Sequence, residues 1–384
     1  MLFLDVAGKY KVTRKKQVIE IMKVPYLDLR IKSEGRKKKL LDAVDVVLTH
    51  GRLVLGPEVG QIEEKVASSC GTKYAVGVGS GTDALYLALR SLDIGAGDEV
   101  ITTPLSWIAT VNAIVLCGAT PVFVDIGNDM NINADLIEKA ITVKTKVILP
   151  VHYTGRMCNM EKIVQIANDN GIHIVEDAAQ AFGANIKGAM AGSFGEVSAF
   201  SMNAMKVFNA YGEAGAVVTN KEELANKLRS LSYGGTINKE DCHYPSLNGR
   251  MDTIQAAMLL VSMEYLDAKI SRRRKIAEYY SDELKDVLTC PEDDGSFQVF
   301  YNYVVRTDKR DQLKSYLDSK GIETKIHYPI LMPFHTAYKE QYSNCNLPVA
   351  KQVVNEILSI PNHEDMSDAQ VEYVVNGIRD FFDT

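Results

Sequence analysis

Lys206 is the residue whose chemical type stands out most in this sequence. It lies in the segment AFSMNAMKVFNAYGEAGAVVTN, residues 199–220, which contains no other basic residue. Lysine is rarely buried unless another group pairs with it or uses it. A desolvated lysine has a lowered pKa, and its amine becomes a nucleophile that can form a Schiff base. The segment therefore predicts a reactive amine, and Ser201 and Asn203 just before it can hydrogen-bond a phosphate.

Two acidic residues end an apolar run in IHIVEDAAQAFG, where Glu176 and Asp177 follow four residues of predicted strand. A buried carboxylate needs a cationic or hydrogen-bonding partner, and a protonated pyridine nitrogen is one such partner. The alternative is an ordinary aspartate that caps a helix. Gln180 lies three residues after Asp177, about one turn further along if a helix begins there.

The segment GVGSGTDAL contains glycines that let the backbone approach a ligand closely. Thr82 begins a predicted helix, whose free N–H groups favour a phosphate. The spacing of Gly77, Gly79 and Gly81 differs from the dinucleotide fingerprint, so a tight strand-to-helix turn is the alternative. Trp107, the one tryptophan of the chain, follows the next strand and could stack on a flat heterocycle, or it could be a core aromatic.

The order of these features is more informative than any one of them. A phosphate loop, an aromatic, a strand-end aspartate and a lysine after a later strand follow each other along the chain. Pyridoxal phosphate needs these four groups, as a phosphate anchor, a ring stack, a partner for the ring nitrogen and an amine for its aldehyde carbon. The sequence therefore predicts a pyridoxal-phosphate site.

Short apolar runs alternate with amphipathic stretches from residue 57 onward, which predicts βαβ units and a mostly parallel sheet. The predicted strands are KYAVGVGSG, DEVITTP, TPVFVDI, KVILPVH, IHIVED, EVSAFSM and GAVVTN. A long helical stretch at about 250–286 precedes CPEDDG, which marks a boundary. We expect an N-terminal extension over 1–23, a large cofactor-binding domain with a long connecting helix over 24–286, and a small C-terminal α/β domain over 287–384.

The composition narrows the functional classes. The chain has 384 residues, a net charge of −6 and six cysteines with no CxxC pair. We therefore expect no nucleic-acid partner, no metal site, no disulfide framework and reduced thiols in the cytoplasm. No apolar run reaches the roughly 18 residues of a membrane span, so no membrane partner is expected. The N-terminal segment has its apolar piece before its basic cluster, the reverse of a secretory signal.

The assembled motifs strongly resemble those of the DegT/DnrJ/EryC1/StrS family of pyridoxal-phosphate sugar aminotransferases. The resemblance runs from residue 24 almost to the C-terminus and includes VPYLDL, GPEVGQIEE, VGSGTDALYLAL, TTPLSWIATVNAI, EDAAQAFGA, FSMNAMK, GEAGAVVTN, NGRMDTIQAAML, IHYPI and LPVA…ILSIPNH. It implies a fold-type I architecture, an α/β fold with a large domain, a mostly parallel central sheet and a smaller C-terminal domain. It also implies a homodimer whose two active sites lie at the interface.

The resemblance implies residues for the cofactor phosphate. Gly81, Thr82 and Ser201 would hold it, with Asn203 nearby in the same motif as Ser201. Asn248 would reach the phosphate of the neighbouring subunit's cofactor.

Ring contacts and catalysis are implied in the same way. Trp107 would cover the ring, and Gln180 would approach its hydroxyl. Asp177 would pair with the pyridine nitrogen and keep it protonated. Lys206 would carry the imine and move a proton between the amino donor, L-glutamate, and the cofactor. Relatives that are dehydratases carry histidine at the lysine position, and Lys206 argues against that activity.

Three positions depart from the family pattern. Asn203 stands where histidine is usual, Ala214 replaces a glycine of GEGG, and Gly249 stands where an aromatic often separates Asn248 from Arg250. These departures bear on the substrate pocket, so two acceptors stay open: a nucleotide-linked keto-deoxy sugar, and a small phosphorylated ketone.

Candidate substrate contacts are Arg250, His327 and Tyr328, although Arg250 could instead form a structural ion pair at the interface. A protein that binds the cofactor only as a regulator is a further alternative. No helix-turn-helix pattern or basic recognition segment supports that alternative.

Overall fold

The computed structural model describes residues 22–238 and 240–383. The predicted N-terminal extension lies almost wholly outside these residues. The helices are α1 Glu34–His50, α2 Pro57–Cys70, α3 Gly81–Ser91, α4 Ala109–Leu116, α5 Ala134–Ala140, α6 Met160–Asn170, α7 Glu222–Ser232, α8 Thr253–Met263, α9 Leu266–Leu284, α10 Arg310–Ser319, α11 Lys339–Tyr342, α12 Pro348–Glu356 and α13 Asp368–Asp383.

The strands are β1 Tyr74–Val78, β2 Glu99–Thr102, β3 Thr120–Phe123, β4 Thr145–Leu149, β5 His173–Asp177, β6 Asn185–Ile186, β7 Ala189–Met190, β8 Val197–Ser201, β9 Gly215–Thr219, β10 Thr236–Ile237, β11 Asp241–Cys242, β12 Tyr303–Arg306 and β13 Ile357–Ile360. Four of the strands have only two residues each and form two short pairs, β6 with β7 and β10 with β11.

Local signals explain where several helices begin and end. Pro57 occupies the first turn of α2, where a missing N–H is tolerated, and Gly71 ends that helix in the left-handed conformation at φ 66°. Ser80 caps α3, and its Oγ accepts a hydrogen bond from the amide of Asp83 at 3.0 Å. The helix therefore begins at Gly81, one residue before the predicted Thr82.

The central sheet has seven strands in the order β1-β9-β8-β5-β4-β2-β3. The pairs between β8, β5, β4, β2 and β3 are parallel, and β9 runs antiparallel to both of its neighbours. The carboxyl ends of β1, β2, β5 and β8 consequently meet at one edge of the sheet. The predicted α/β fold with a mostly parallel sheet is confirmed, and so are all seven predicted strands.

Apolar residues cover both faces of this sheet. One cluster packs α2, α6 and α8 against the face that carries Phe200 and Ile148, and a second packs α3 and α4 against the face that carries Val175 and Val197. The strands are therefore buried on both sides, as a mostly parallel sheet requires.

The long helical stretch predicted at about 250–286 is two helices. α8 ends at Met263 and α9 begins at Leu266, and the backbone turns between them at Tyr265, with φ −105° and ψ −2°. The C-terminal half of α9 joins a separate core with β12, β13, α10 and α13.

Val24 belongs to the same C-terminal core and pairs with Ile322. Contacts therefore cross the predicted division at residue 286, and the domain limits stay a prediction. Within the described residues, none of the helices is both long and apolar enough to cross a membrane.

Candidate active site

The predicted site residues lie at the sheet edge where four strands end. The glycine loop, residues 79–81, follows β1, and Trp107 follows β2. Asp177 is the last residue of β5, and Lys206 follows β8. In an α/β sheet, ligands bind outside the carboxyl ends of the strands. The topology thus gathers residues that are up to 129 positions apart in the sequence, from Gly77 to Lys206.

Asp177 is buried and only partly satisfied by its neighbours. Its carboxylate accepts hydrogen bonds from two donors, Thr110 Oγ1 at 2.8 Å and the amide of Ala179 at 3.2 Å. Burial raises the pKa of Asp177, while the hydrogen bond from Thr110 and the charge of Lys206 act to lower it. An ionised carboxylate can accept about four hydrogen bonds. A cationic N–H at this position would therefore stabilise the charge that burial disfavours.

Glu176, the preceding residue, has a different environment on the other face of the strand. Its carboxylate accepts the amides of Phe194 and Gly195, both at 2.8 Å, and the Ser198 hydroxyl at 2.9 Å. The amide of Gly192 also donates to it at 2.9 Å.

A histidine completes that shell. Nδ1 of His152 accepts the amide of Cys158 at 3.2 Å, so Nε2 carries the hydrogen and donates to Glu176 at 3.0 Å. Burial by itself raises the pKa of Glu176, but these hydrogen bonds outweigh it and the pKa is lowered. Glu176 is therefore a structural anion that holds residues 192–195.

The glycine loop and Ser201 form a close cradle. A Cβ placed on Gly81 would lie 2.6 Å from Cβ of Ser201, so a side chain there would fill the gap. The amides of Gly81 and Thr82 stand in the first turn of α3, where a helix offers no acceptor for them. Backbone donors at a helix N-terminus beside a serine hydroxyl suit a phosphate.

Gly215 shows why one glycine of the GEAG segment is essential and the other is replaceable. A Cβ on Gly215 would lie 2.4 Å from the carbonyl oxygen of Ser80 and 2.8 Å from that of Phe200. Ala214, by contrast, is fully buried, and its carbonyl accepts the amide of Met202 at 2.8 Å. The alanine at 214 is thus accommodated within the same contacts that hold the Lys206 segment.

Lys206 is half-buried and lies over the ring of Tyr301, with Nζ 4.2 Å from the ring centroid. Its amide donates to the carbonyl of Asn203 at 2.8 Å, which closes a turn after β8. The Asn203 side chain turns to Glu213, at 2.5 Å, and accepts the amide of Met205 at 2.9 Å. These contacts engage Asn203 in the turn that carries Lys206.

Gln180 and Trp107 lie at different depths of the site. Oε1 of Gln180, a buried residue, accepts the amide of Thr154 at 2.9 Å. Trp107 is 58% exposed, and its ring centroid lies 5.6 Å from that of Tyr328. The core alternative for Trp107 is therefore wrong, because its ring faces outward.

His327 and Tyr328 line the same side of the site as Lys206. Burial and the charge of Lys206 lower the pKa of His327 to about 4, so its ring is neutral near pH 7. Nδ1 of His327 lies 2.9 Å from Oγ of Ser359, and its carbonyl oxygen accepts the hydroxyl of Tyr153. Burial also raises the pKa of Tyr328, so its hydroxyl stays protonated.

Asn248 and Arg250 lie against the outside of the glycine loop. The amide of Gly79 donates to the carbonyl of Gly249 at 2.8 Å. Asn248 is exposed, and the guanidinium of Arg250 stacks 3.9 Å from the ring centre of Tyr233. The structure therefore brings Arg250 to the glycine loop rather than to His327 and Tyr328.

Leu247 occupies the space that a side chain at position 249 would need. A Cβ on Gly249 would lie 2.4 Å from Cδ1 of Leu247 and 3.6 Å from Cγ of Asp83. The departure at Gly249 is thus filled from within the same segment and does not leave a wider pocket.

Comparison with known sequences decides the family. The sequence model of the DegT/DnrJ/EryC1/StrS aminotransferase family matches residues 35–379. The chain belongs to this family. It is a pyridoxal-phosphate-dependent aminotransferase, and its fold is that of the fold-type I enzymes, as the resemblance implied.

Two characterised relatives cover nearly the whole aminotransferase. A dTDP-3-amino-3,6-dideoxy-alpha-D-galactopyranose transaminase from Aneurinibacillus thermoaerophilus is 40% identical over 92% of this chain and 98% of its own length. A pleiotropic regulatory protein from Geobacillus stearothermophilus is 38% identical over 94% and 99%. The crystal structure of Streptomyces venezuelae DesV in complex with a ketimine intermediate has a TM-score of 0.92 and 38% identity, and covers 94% of this chain and 99% of DesV.

The cofactor fits the residues of this aminotransferase. The cradle at Gly81 and Ser201 suits its phosphate. Among residues 22–238 and 240–383, no cationic N–H is hydrogen-bonded to the buried carboxylate of Asp177, whose two donors are Thr110 and the amide of Ala179. Sequence reasoning missed Thr110 and Tyr301, which contact Asp177 and Lys206 from distant segments. Among the described residues, no group of three or more His, Cys, Asp or Glu side chains is placed to hold a metal.

Proposed function

We propose that this aminotransferase moves the amino group of L-glutamate to the keto carbon of a nucleotide-linked keto-deoxy sugar. It acts as a homodimer in the cytoplasm, in a pathway that builds a glycan or a natural-product sugar. The observation that carries the proposal is the amine of Lys206 beside the buried carboxylate of Asp177, at the mouth of a phosphate cradle. The 40% identity to a dTDP-sugar transaminase supports the class of acceptor.

Two groups of residues would hold the cofactor. Gly81, Thr82 and Ser201 would bind its phosphate through two backbone amides and a hydroxyl. Trp107 would cover its ring, and Gln180 would approach the ring hydroxyl. When bound, pyridoxal phosphate supplies an aldehyde joined to an aromatic ring that accepts electrons.

Asp177 and Lys206 handle the protons. Asp177 holds a proton at the ring nitrogen, because an ionised carboxylate buried next to that nitrogen favours the charged N–H. Nζ of Lys206 is the base that takes the proton from the α-carbon of the donor and later returns a proton to the acceptor carbon. Thr110 fixes the orientation of the Asp177 carboxylate through its 2.8 Å hydrogen bond.

His327 and Tyr328 are the proposed substrate contacts on the Lys206 side. A neutral imidazole and a protonated phenol can donate hydrogen bonds to sugar hydroxyls without repelling an anionic nucleotide. Asn203 remains a proposed cofactor contact, through the turn in which it holds Lys206. Arg250 could bind the acceptor only from the outer side of the glycine loop, where the other subunit would lie.

Exposed groups on one side of the site support the homodimer. Asn248 is exposed beside the glycine loop, and Leu53, Val54 and Leu55 are each more than 40% exposed near the same loop. A second copy would cover these residues and receive Asn248 at its cofactor phosphate. The cysteines are all unpaired, as they are in a reducing compartment, which supports the cytoplasm.

Subunit mixing tests the shared site. Lys206→Ala and Asn248→Asp proteins are each expected to lose activity, the second through repulsion of the phosphate. Unfolding and refolding a 1:1 mixture should restore about one quarter of wild-type activity, because half of the dimers carry one intact site. A mixture as inactive as its components, or an Asn248→Asp protein with full activity, would contradict the shared site.

A substrate panel tests the acceptor. The protein is incubated with pyridoxal phosphate, L-glutamate and one of three ketones: a dTDP-linked 3-keto sugar, a UDP-linked 3-keto sugar, or dihydroxyacetone phosphate. We expect 2-oxoglutarate and an aminated nucleotide sugar by mass spectrometry, and none with Lys206→Ala. Amination of the small phosphorylated ketone alone would replace the sugar proposal with the second acceptor class.

A further inference from the structure

Tyr301 contacts the reactive amine but has no role in the proton transfers described above. Nζ of Lys206 lies 4.2 Å from the centroid of the Tyr301 ring. At this distance the ring quadrupole attracts an ammonium ion, whereas a neutral amine carries no charge to attract. The contact therefore distinguishes the two protonation states of Lys206.

The buried guanidinium of Arg273 holds the main chain at Tyr301. Arg273 is 3% exposed, and its Nη1 donates to the carbonyl oxygens of Tyr301 at 3.2 Å and Asn362 at 2.8 Å. Its Nε and Nη2 bind Glu364 at 3.0 and 2.9 Å. The main chain at Tyr301 is thus tied to α9 by one hydrogen bond from Nη1. The planar fork of Nε and Nη2, which only arginine provides, holds Glu364.

Glu364 is the anion that keeps this guanidinium in place. Burial acts to raise the pKa of Glu364, but Arg273 and Lys269 outweigh it and lower the pKa to about 2. Lys269 lies 3.3 Å from the same carboxylate. Glu364 is therefore ionised across the working pH range and keeps Arg273 bound.

Other charged groups also surround Lys206. The cavity beside it is lined by Arg30, Arg36, Lys269, Arg273, Asp28, Glu364 and Asp365. Most of these are engaged with one another: Arg30 binds Asp28 at 2.7 Å, and Arg36 donates to the Tyr211 hydroxyl at 2.9 Å. The charge of Lys206 acts to lower the pKa of Asp177, and the neutral His327 adds no charge. The ring of Tyr301 lies against Nζ itself, 4.2 Å from its centroid.

We propose that Tyr301 is a positioning residue for Lys206: its ring face holds Nζ beside the reaction centre once the amine has taken up a proton. The Arg273–Glu364 pair fixes the ring in that place. This inference rests on the proposed function, since it takes Lys206 as the reactive amine. Its consequence is that the proton taken up by Lys206 stays next to the reaction centre, while capture of an aldehyde near pH 7 is slowed.

The rate at which the cofactor-free, full-length protein captures pyridoxal phosphate tests this role. The neutral amine attacks the aldehyde carbon and one water leaves, so the visible absorption that develops reports capture. Because the ammonium form cannot attack, the midpoint of the pH–rate profile is the pKa of Nζ. In Tyr301→Leu we expect that midpoint to fall by about 0.5 to 1 pH unit, and capture at pH 7 to become roughly 3- to 10-fold faster.

Matched variants distinguish the effect of the Tyr301 ring from the effects of its hydroxyl and of a general disturbance of the fold. Tyr301→Phe keeps the ring and should keep the wild-type midpoint. Arg273→Lys retains the charge but loses the fork, so its midpoint should move towards that of Tyr301→Leu. The control is Arg272→Lys, one residue away, where arginine binds Asp368 at 2.7 Å on the surface. This control should behave as wild type.

The outcomes separate the two proposals. Capture by Lys206→Ala at the wild-type rate would overturn the proposed function itself. If capture requires Lys206 but Tyr301→Leu keeps the wild-type midpoint, the positioning role alone is overturned. Where Tyr301→Leu fails to fold by circular dichroism, Tyr301→Met removes the ring with a flexible side chain and decides the question in the same way.

Discussion

The floor and the rim of the site differ in how completely one chain builds them. The floor consists of Asp177, Thr110 and Gln180, which are buried and hydrogen-bonded within the chain. The rim consists of Trp107 and Asn248, which are exposed; Trp107 is 58% exposed. The floor is therefore enclosed by the chain itself, whereas the rim is open to solvent in a single chain.

Altering Asp177 should have the largest effect on catalysis. Asp177→Asn keeps the shape but removes the negative charge that holds a proton at the ring nitrogen, so kcat should fall roughly 100- to 1,000-fold. Because burial already disfavours the ionised carboxylate, the free energy of unfolding should change by no more than about 1 kcal/mol. Steady-state kinetics and urea denaturation of the same protein measure both. A stable Asp177→Asn protein with unchanged kcat would contradict the catalytic role of Asp177.

Altering its neighbour Glu176 should instead destabilise the fold. Glu176→Gln takes a charged acceptor away from five donors, including Ser198 and His152, and should lower the free energy of unfolding by about 3 to 5 kcal/mol. The matched control is Glu138→Gln on an exposed position of α5, with a change below about 0.5 kcal/mol. Equal urea midpoints for the two variants would contradict the structural role of Glu176.

Lowering the pH should reduce the free energy of unfolding, because His327 lies largely buried between the floor and the rim. Its pKa is about 4 in the fold against an ordinary 6.5, so the unfolded chain binds more protons between these values. Stability is present above pH 6.5 and falls as the pH drops towards 4, by about 3 kcal/mol at most. Glu364, with a pKa of about 2, acts mainly below this window. His327→Gln should make the urea midpoint depend less on pH between 6.5 and 4, and the remaining dependence comes partly from His363, whose pKa burial also lowers. An unchanged slope would contradict the burial of the His327 imidazole.

Substitution of Trp107 in the rim should have the smallest effect of these changes. Trp107→Ala loses one stacking face, so the Kd for pyridoxal phosphate should rise about 2- to 10-fold, and Trp107→Phe should lose less. Equilibrium titration by absorption measures both values. If Trp107→Ala lowered kcat as much as Asp177→Asn does, the rim would contribute as much to catalysis as the floor, which would contradict this comparison.

Much of the floor could be predicted from the sequence because strand ends share one edge of a parallel sheet. Asp177 and Lys206 each follow an apolar strand, so their types and order pointed to one cofactor. Thr110 could not be found in this way, since its partner lies 67 residues further along and no local pattern records the contact. Tyr301 was missed for the same reason.

Side-chain direction was also hidden from the sequence. The sequence predicts Asn203 as a phosphate contact because it neighbours Ser201, but it does not show that the Asn203 amide also binds Glu213 across the turn. The sequence predicts Arg250 as a substrate contact or an interface residue, and no local pattern shows that its guanidinium lies on the ring of Tyr233. The break at Tyr265 interrupts an otherwise helical pattern because the chain changes direction between two cores there, and local propensity does not encode that change.

The central claim is that Lys206 is the amine that takes part in amino transfer. The most direct measurement is the visible absorption spectrum of the protein with pyridoxal phosphate, before and after L-glutamate, for wild type and Lys206→Ala. The wild type should develop a visible band that glutamate bleaches with release of 2-oxoglutarate, and Lys206→Ala should do neither. A wild-type protein that stays colourless, or a Lys206→Ala protein that matches it, would contradict the claim.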